Sequence, residues 1–262
     1  MDIVVCVKQV PVTAEAEVMV DESGRDIRKD RLVFDVNEAD NYAVEEALLL
    51  TEKYGGTITL VNLGPESADK TLRSLLAKGT HEAIRLTDDH FADSDAFATA
   101  RILAAALKSL SYDLVLTGSY SSDLGYSQVG TSLAELLGIP HAAMVTGLEV
   151  LDGKIKVERE LEGGVHERLE IELPALLTVQ TGINEPRYAS ILGLRKAMKK
   201  PIKVLTLTDL GLAEGEVGRE GSRIFLNRLS VPPKGEGAQI LEGGPEEVSQ
   251  KLVEIFREKG VV

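Results

Sequence analysis

The sequence predicts an α/β protein: a doubly wound, mostly parallel sheet with an added β-hairpin and an extended C-terminal arm. Three observations carry that expectation. As far as Gly138, short apolar runs alternate with amphipathic segments of helical period. The runs are continuous rather than alternating, as in strands buried on both faces. Beyond Leu148 the pattern turns to alternating strands, and beyond Leu210 to a stretch rich in glycine, proline and charge.

Ile3–Val7 is the first buried-type strand. Residues 11–36 are polar, and Asp21-Glu22-Ser23-Gly24 is a turn signal that predicts a small hairpin excursion. Asn37 opens a helix with Val44, Ala47 and Leu48 on one side, ended by Gly55-Gly56. Thr57–Leu63 is a strand, and Glu66–Lys78 a helix with Leu72, Leu75 and Leu76 on one face. Ala83–Thr87 is a short strand, and Ser94 is placed to cap a helix carrying Phe97, Leu103 and Leu107. Leu114–Thr117 runs straight into Gly118, a serine-rich loop follows, and a helix from near Ser127 stops at Gly138 and Pro140. Leu148–Arg159 reads as a hairpin around Asp152-Gly153, Glu167–Leu173 as a half-buried strand and Ala175–Thr181 as a buried one. The boundaries expected are an α/β domain over 1–209 and an arm over 210–262, closed by a helix from Pro245 with Val248, Leu252, Ile255 and Phe256 on one stripe.

The chain has 262 residues, enough for a full core without staples. Its formal net charge of −13 argues against a general nucleic-acid binder. A single cysteine excludes an internal disulfide. No apolar run approaches the roughly 18 residues of a membrane span. Asp2 stands where a signal peptide would carry positive charge, so a cytoplasmic protein is expected, reaching a membrane only through partners. The Walker A, G-x-G-x-x-G, G-x-S-x-G and H-E-x-x-H patterns are missing, and the four histidines show no ligand spacing, so no metal is expected.

Three segments are candidate sites. Leu114–Gly130, LVLTGSYSSDLGYSQVG, ends a parallel strand in Gly118. Ser119, Ser121 and Ser122 are small enough for backbone N–H groups to approach a phosphate, and the helix start beyond favours an anion. Asp123 suits a ribose hydroxyl or adenine amine, and Gln128 a base edge or a helix cap; a plain serine-rich loop is the simpler alternative. Asn37 and Asp40 either cap a helix or bond a nucleotide, with Lys8 near a phosphate or solvated. Asn184–Lys203 sets Arg187, Arg195, Lys196, Lys199, Lys200 and Lys203 around Ile191, Leu192 and Leu194, either as a solvated basic loop or as an apolar anchor with a steering field for a protein partner.

Five ordered blocks now carry a resemblance: VVCVKQVP, VNEADNYAVEEAL, TGSYSSDLGYSQVG, VERELEGGVHERLEIELPALLTV and NEPRYASILGLRKAMKKP. The chain resembles the beta subunit of electron transfer flavoprotein over nearly its whole length, and its loop is most similar to the nitrogen-fixation-associated branch. The resemblance implies a Rossmann-like domain related to the adenine-nucleotide alpha-hydrolases, paired with an alpha subunit that holds most of an FAD. The beta pocket would hold either AMP or, in bifurcating members that take hydride from NADH, the AMP half of a second FAD. Electrons would pass between flavin dehydrogenases and a quinone oxidoreductase, or to ferredoxin.

Carried over by position, the cofactor residues are Cys6, Lys8, Asn37, Asp40, Leu63, Gly118, Ser121, Asp123, Gln128, Val129, Gly130 and Thr131, with Ser122 beside them. The docking residues are Arg187, Tyr188, Ile191 and Leu192, with Glu160 at the subunit interface and the 210–262 arm on the alpha subunit. No residue is assigned acid–base catalysis, because the cofactor carries the electrons. Many bifurcating members have D-G-D-T-A-Q where this chain has Asp123-Leu124-Gly125-Tyr126-Ser127-Gln128, so the loop leaves AMP and FAD both open. The alternatives are a nucleotide sensor of universal-stress-protein type and a single-flavin subunit with a structural AMP.

Overall fold

The computed structural model describes every residue except Glu15, Lys234, Glu236 and Val262, the last three within the expected arm. In chain order the elements are β1 (Ile3–Cys6), β2 (Gln9–Pro11), β3 (Phe34–Val36), α1 (Glu38–Tyr54), β4 (Ile58–Leu63), α2 (Asp69–Leu76) and β5 (Glu82–Leu86). Then come α3 (Ala96–Leu107), β6 (Leu114–Gly118), α4 (Val129–Leu137), β7 (His141–Val150), β8 (Lys154–Leu161), β9 (Val165–Glu172) and β10 (Ala175–Val179). The chain closes with α5 (Ile191–Ala197), β11 (Lys203–Leu205), α6 (Leu207–Leu210), α7 (Gly218–Gly221) and α8 (Pro245–Glu258).

Nine strands form one sheet in the order β11-β5-β4-β1-β6-β10-β7-β8-β9. All pairings from β11 to β7 are parallel, and β8 and β9 extend the sheet as an antiparallel meander. Alternation along β1 feeds two cores. Ile3 and Val5 pack with α1 and α2 on one face, while Val4 and Cys6 pack with α3 and α4 on the other. The chain therefore winds outward from β1 in one direction to β5, then crosses back to β6 on β1's other side. The point where strand order reverses, between β1 and β6, is where such sheets open a ligand crevice.

The excursion expected within residues 11–36 is present, and other local expectations give way to tertiary pairing. β2 and β3 form a separate antiparallel pair, and the expected turn at residues 21–24 is closed by a bridge between Val20 and Ile27. The helix after Ser94 is capped by Asp95, whose carboxylate accepts from the Ala98 N–H at 2.8 Å. Ser94 is drawn away to accept from Gly218 N–H and donate to Phe91 O. The helix expected near Ser127 starts at Val129, because Ser127 sits at φ +53°, a left-handed conformation no helix residue adopts. The hairpin strand expected from Leu148 begins at His141, paired to β10 before it meets β8.

The segment beyond Leu210 stays on the body through Ser222, since Val217 is buried and Ser222 bonds the Asp95 N–H. Arg223 and Ile224 still donate their N–H groups to Asp95, and Leu229 donates its own to Gly24 O at 2.7 Å. α8 buries none of its residues, and Leu252 and Phe256 of its apolar stripe are exposed. No helix among the described residues is long and apolar enough to cross a membrane.

Candidate functional site

A cavity of about 210 Å³ opens at the β1/β6 reversal. Cys6, Val7 and Lys8 leave β1 along its floor; Asn37 and Asp40 enter from α1, and Val61 and Leu63 from β4. Leu103 of α3 adds an apolar wall, and the loop from Gly118 to Gly130 closes the rim.

Asp40 is the keystone of the floor. Its Oδ2 accepts from Lys8 N–H at 2.7 Å and its Oδ1 from Gly118 N–H at 2.9 Å. One buried carboxylate thus ties together the two backbone groups where β1 and β6 end. Burial pushes its pKa up to about 6, against the pull of those two N–H groups and of Lys8's charge. Gly118 must be glycine here: a Cβ would collide with Asp40 Oδ1 and stand 2.8 Å from Ala39 Cβ. Asn37 performs a parallel task for the loop, donating from Nδ2 to Tyr120 O at 2.8 Å and accepting from Ser122 N–H at 3.1 Å. Both residues line the cavity and hold the backbone groups of its walls.

Lys8 and Asp123 form an ion pair at 2.6 Å across the mouth. Burial raises the Asp123 carboxyl, but hydrogen bonding and charge from Lys8 outweigh it and hold the group below its ordinary value. Cys6 is buried, and that desolvation, with Asp40's charge, pushes its thiol up to about 12. It packs as a small apolar group and is no nucleophile at neutral pH.

The N-termini of α1, α2, α3 and α4 point toward this end of the sheet, and they differ. α1 carries Glu38 and Asp40 in its first turn, and α2 carries Asp69. α3 is capped by Asp95, which also accepts the N–H groups of Arg223 and Ile224. α4 has neither an acid in its first turn nor a side-chain cap on its first N–H groups. Among these four, its leading amides alone have neither an acid beside them nor a side-chain acceptor, and the macrodipole leaves that end positive. Gly130 lets that end seat directly on the sheet: a Cβ there would lie 2.5 Å from Thr178 Cγ2 and 2.7 Å from Thr117 Oγ1.

The site residues expected from the sequence divide into two groups. Cys6, Lys8, Asn37, Asp40, Leu63, Gly118, Ser121, Gln128, Val129 and Gly130 line the cavity. Ser122, Asp123 and Thr131 support it from behind: through Asn37, through Lys8, and through Thr131 Oγ1 donating to Gln128 O in the first turn of α4. Ser94, expected only as a helix cap, and Tyr126 of the candidate loop line it as well, and so do Asp95 and Thr99, which the sequence did not single out. The doubly wound topology, which brings α3 to this edge, was the available signal for those two.

Away from the cavity, Tyr188, Ile191 and Leu192 are exposed on the 184–200 segment, whereas Arg187 is turned inward onto α1. Glu160 stands on β8 opposite His166, apart from both. Among the described residues no cluster of His, Cys, Asp or Glu could hold a metal ion.

Asp123→Ala tests the mouth. The pair is partly exposed, so its loss costs about 1 kcal/mol of stability or less. Urea unfolding measures that loss; a cost of about 3 kcal/mol or more would mean that the pair is buried rather than shared with solvent.

Fold and site define a doubly wound α/β protein with a ligand crevice at the topological switch point and one acid-free, uncapped helix end facing it. The sequence model of the electron transfer flavoprotein domain matches residues 27–210. The chain is 39% identical to "Electron transfer flavoprotein subunit beta" of Methylophilus methylotrophus over 98% of each chain. It is 35% identical to "Caffeyl-CoA reductase-Etf complex subunit CarD" of Acetobacterium woodii over the full length of both. It is 33% identical to "Protein FixA" of Azotobacter vinelandii over 92% of this chain and 88% of that protein. The chain belongs to the electron transfer flavoprotein family, among its beta subunits. Membership implies electron transfer as the task and an alpha subunit as the partner.

Proposed function

We propose that the protein is the nucleotide-holding half of an electron transfer flavoprotein heterodimer, with an adenylate bound in the β1/β6 crevice. The observation that carries this reading is the uncapped, acid-free N-terminus of α4 seated on the ends of β6 and β10. The crevice has the split chemistry an adenylate requires: amide donors at α4 for the phosphate, and apolar walls from Val61, Leu63 and Leu103 for the base. The adenylate is AMP or the AMP half of an FAD, two ligands with the same chemistry at this site. A flavin held there or in the alpha subunit supplies the redox chemistry; this chain's residues bind it, orient it and keep its environment fixed.

The surface supports the rest of the reading. Tyr188, Ile191 and Leu192 form an exposed apolar patch among basic residues, suited to a redox partner such as a flavin dehydrogenase, a quinone oxidoreductase or ferredoxin. The exposed stripe of α8 suits a hold on the alpha subunit.

The test is the nucleotide inventory of the purified heterodimer after acid release. One FAD with one AMP supports a structural adenylate, and two FAD support a bifurcating type. A heterodimer with a single FAD and no further adenine nucleotide would overturn the proposal.

A further inference from the structure

The 184–200 segment is fixed at both ends by arginines that do not belong to its exposed patch. At its entry, Arg187 lays its guanidinium on two glutamates of α1. Nε and Nη2 reach Glu45 Oε1 at 2.9 and 2.8 Å, Nη1 pairs with Glu52, and the Arg187 N–H donates to Glu45 Oε2 at 3.0 Å. The Glu45 side chain is only 4% exposed, so this carboxylate depends on its partner. Asn184 Nδ2 adds bonds to Glu46 Oε2 and Tyr42 O.

At the exit, Arg73 of α2 donates to the carbonyls of Ala197, Met198 and Lys200 at 3.0 to 3.3 Å, gathering the C-terminal turn of α5. Lys200 Nζ reaches Thr80 O at 2.6 Å. Between the anchors, Gly193 lies so close to α2 that a Cβ would overlap the Ala77 carbonyl. The stretch so held presents Tyr188 at 98% exposure and Ile191 at 76%.

Exposed apolar side chains on a loose loop would cost ordering entropy whenever a partner docked; on a fixed backbone that cost is already met. We propose that Arg187 and Arg73 are positioning residues that hold segment 188–198 in its docking form. The patch is thereby preformed for a protein surface with an apolar centre and an acidic rim, facing Arg195, Lys196 and Lys199. This inference rests on the docking role proposed above for the same segment.

The experiment uses the intact heterodimer and compares Arg187→Gln, Arg187→Lys, Arg73→Gln and Glu52→Gln. Glu52 is largely exposed, so its variant cannot unfold the core. Limited trypsin digestion, followed by mass spectrometry, reads cleavage after Arg195, Lys196 and Lys199. Arg187→Gln and Arg73→Gln are expected to speed it on the order of tenfold, the factor given by 1.4 kcal/mol of lost local stability. Glu52→Gln should speed it less, and Arg187→Lys should restore only part, since an ammonium cannot reproduce the fork.

With the flavin dehydrogenase that reduces the heterodimer, the same variants should raise the KM for the heterodimer while kcat and the flavin spectrum hold. Unchanged cleavage would overturn the clamp. Faster cleavage with an unchanged KM, in a protein whose Ile191→Ala variant does raise it, would overturn the positioning role. If Ile191→Ala also leaves the KM unchanged, the docking reading itself falls, and this inference with it.

Discussion

Asp40→Ala is expected to destabilise the protein by about 2–6 kcal/mol and to empty the crevice of nucleotide. The estimate follows from its two bonds. Removing the carboxylate leaves the N–H groups of Lys8 and Gly118 without their acceptor in a buried site, at about 1–3 kcal/mol each. It also unties the ends of β1 and β6, whose separation sets the crevice. Urea unfolding together with nucleotide content after gel filtration measures both effects. A variant of native stability that still retained nucleotide would remove Asp40 from the floor of the site.

The same residue predicts a pH dependence. Its folded pKa, pushed up to about 6, lies above the ordinary 3.8, so the folded state binds its proton more tightly. That contribution is complete below the lower value and is lost as pH rises through the upper one. The stability gap between the native protein and Asp40→Ala should therefore narrow by about 1 kcal/mol from pH 5 to pH 7. A gap that widened over this interval would mean that the carboxylate is stabilised, not strained, by its burial.

Gly130→Ala should lower nucleotide affinity by roughly 10- to 100-fold, the scale on which small misplacements of binding groups act. Alanine in a helix normally gains about 1 kcal/mol over glycine. Here its Cβ would press on Thr178 and Thr117, two β-branched side chains with little rotamer freedom. Overpacking of that kind costs about 1–3 kcal/mol, which offsets the gain and is relieved by moving the N-terminus of α4 off the sheet. Gly125→Ala is the control: its φ of +66° strains any side chain, but a Cβ there meets nothing within 4 Å. It should cost about 1 kcal/mol and leave α4 in place. Calorimetric titration with AMP compares the two. Equal affinity for Gly130→Ala and the native protein would dissociate the helix end from binding.

The parallel core was legible because its central strands carry short continuous apolar runs, as in Ile3–Cys6, Leu114–Leu116 and Ala175–Leu177, a pattern that local sequence alone sustains. The crevice was legible too, since Gly118 and the serines that follow mark where a strand stops and backbone is left uncovered. β11 was not: Lys203–Leu205 is three half-exposed residues in a basic stretch, and only its pairing with β5 makes it a strand. Asp95 displaced Ser94 as the α3 cap because Ser94 finds partners at Phe91 and at Gly218, the latter more than a hundred residues away. Arg187 read as a docking residue among other basic ones. The signal for its pairing with α1 was Glu45 and Glu46, two acids inside the apolar run of that helix that a buried face cannot hold unpaired.

The amino-acid order by itself determined the alternation of buried strands and amphipathic helices, the place of the crevice, and the family. Those features rest on periodicity and on glycine and serine at fixed offsets, which act over a few residues. Only the tertiary structure decided what the polar side chains do: that Asp40 and Asn37 hold backbone, that Lys8 is shared with Asp123, and that Arg187 is a clamp. A carboxylate or guanidinium carries several equivalent bonding directions. Its role is chosen by whichever partner the fold brings within 3 Å, and those partners lie 32 to 142 residues away along the chain.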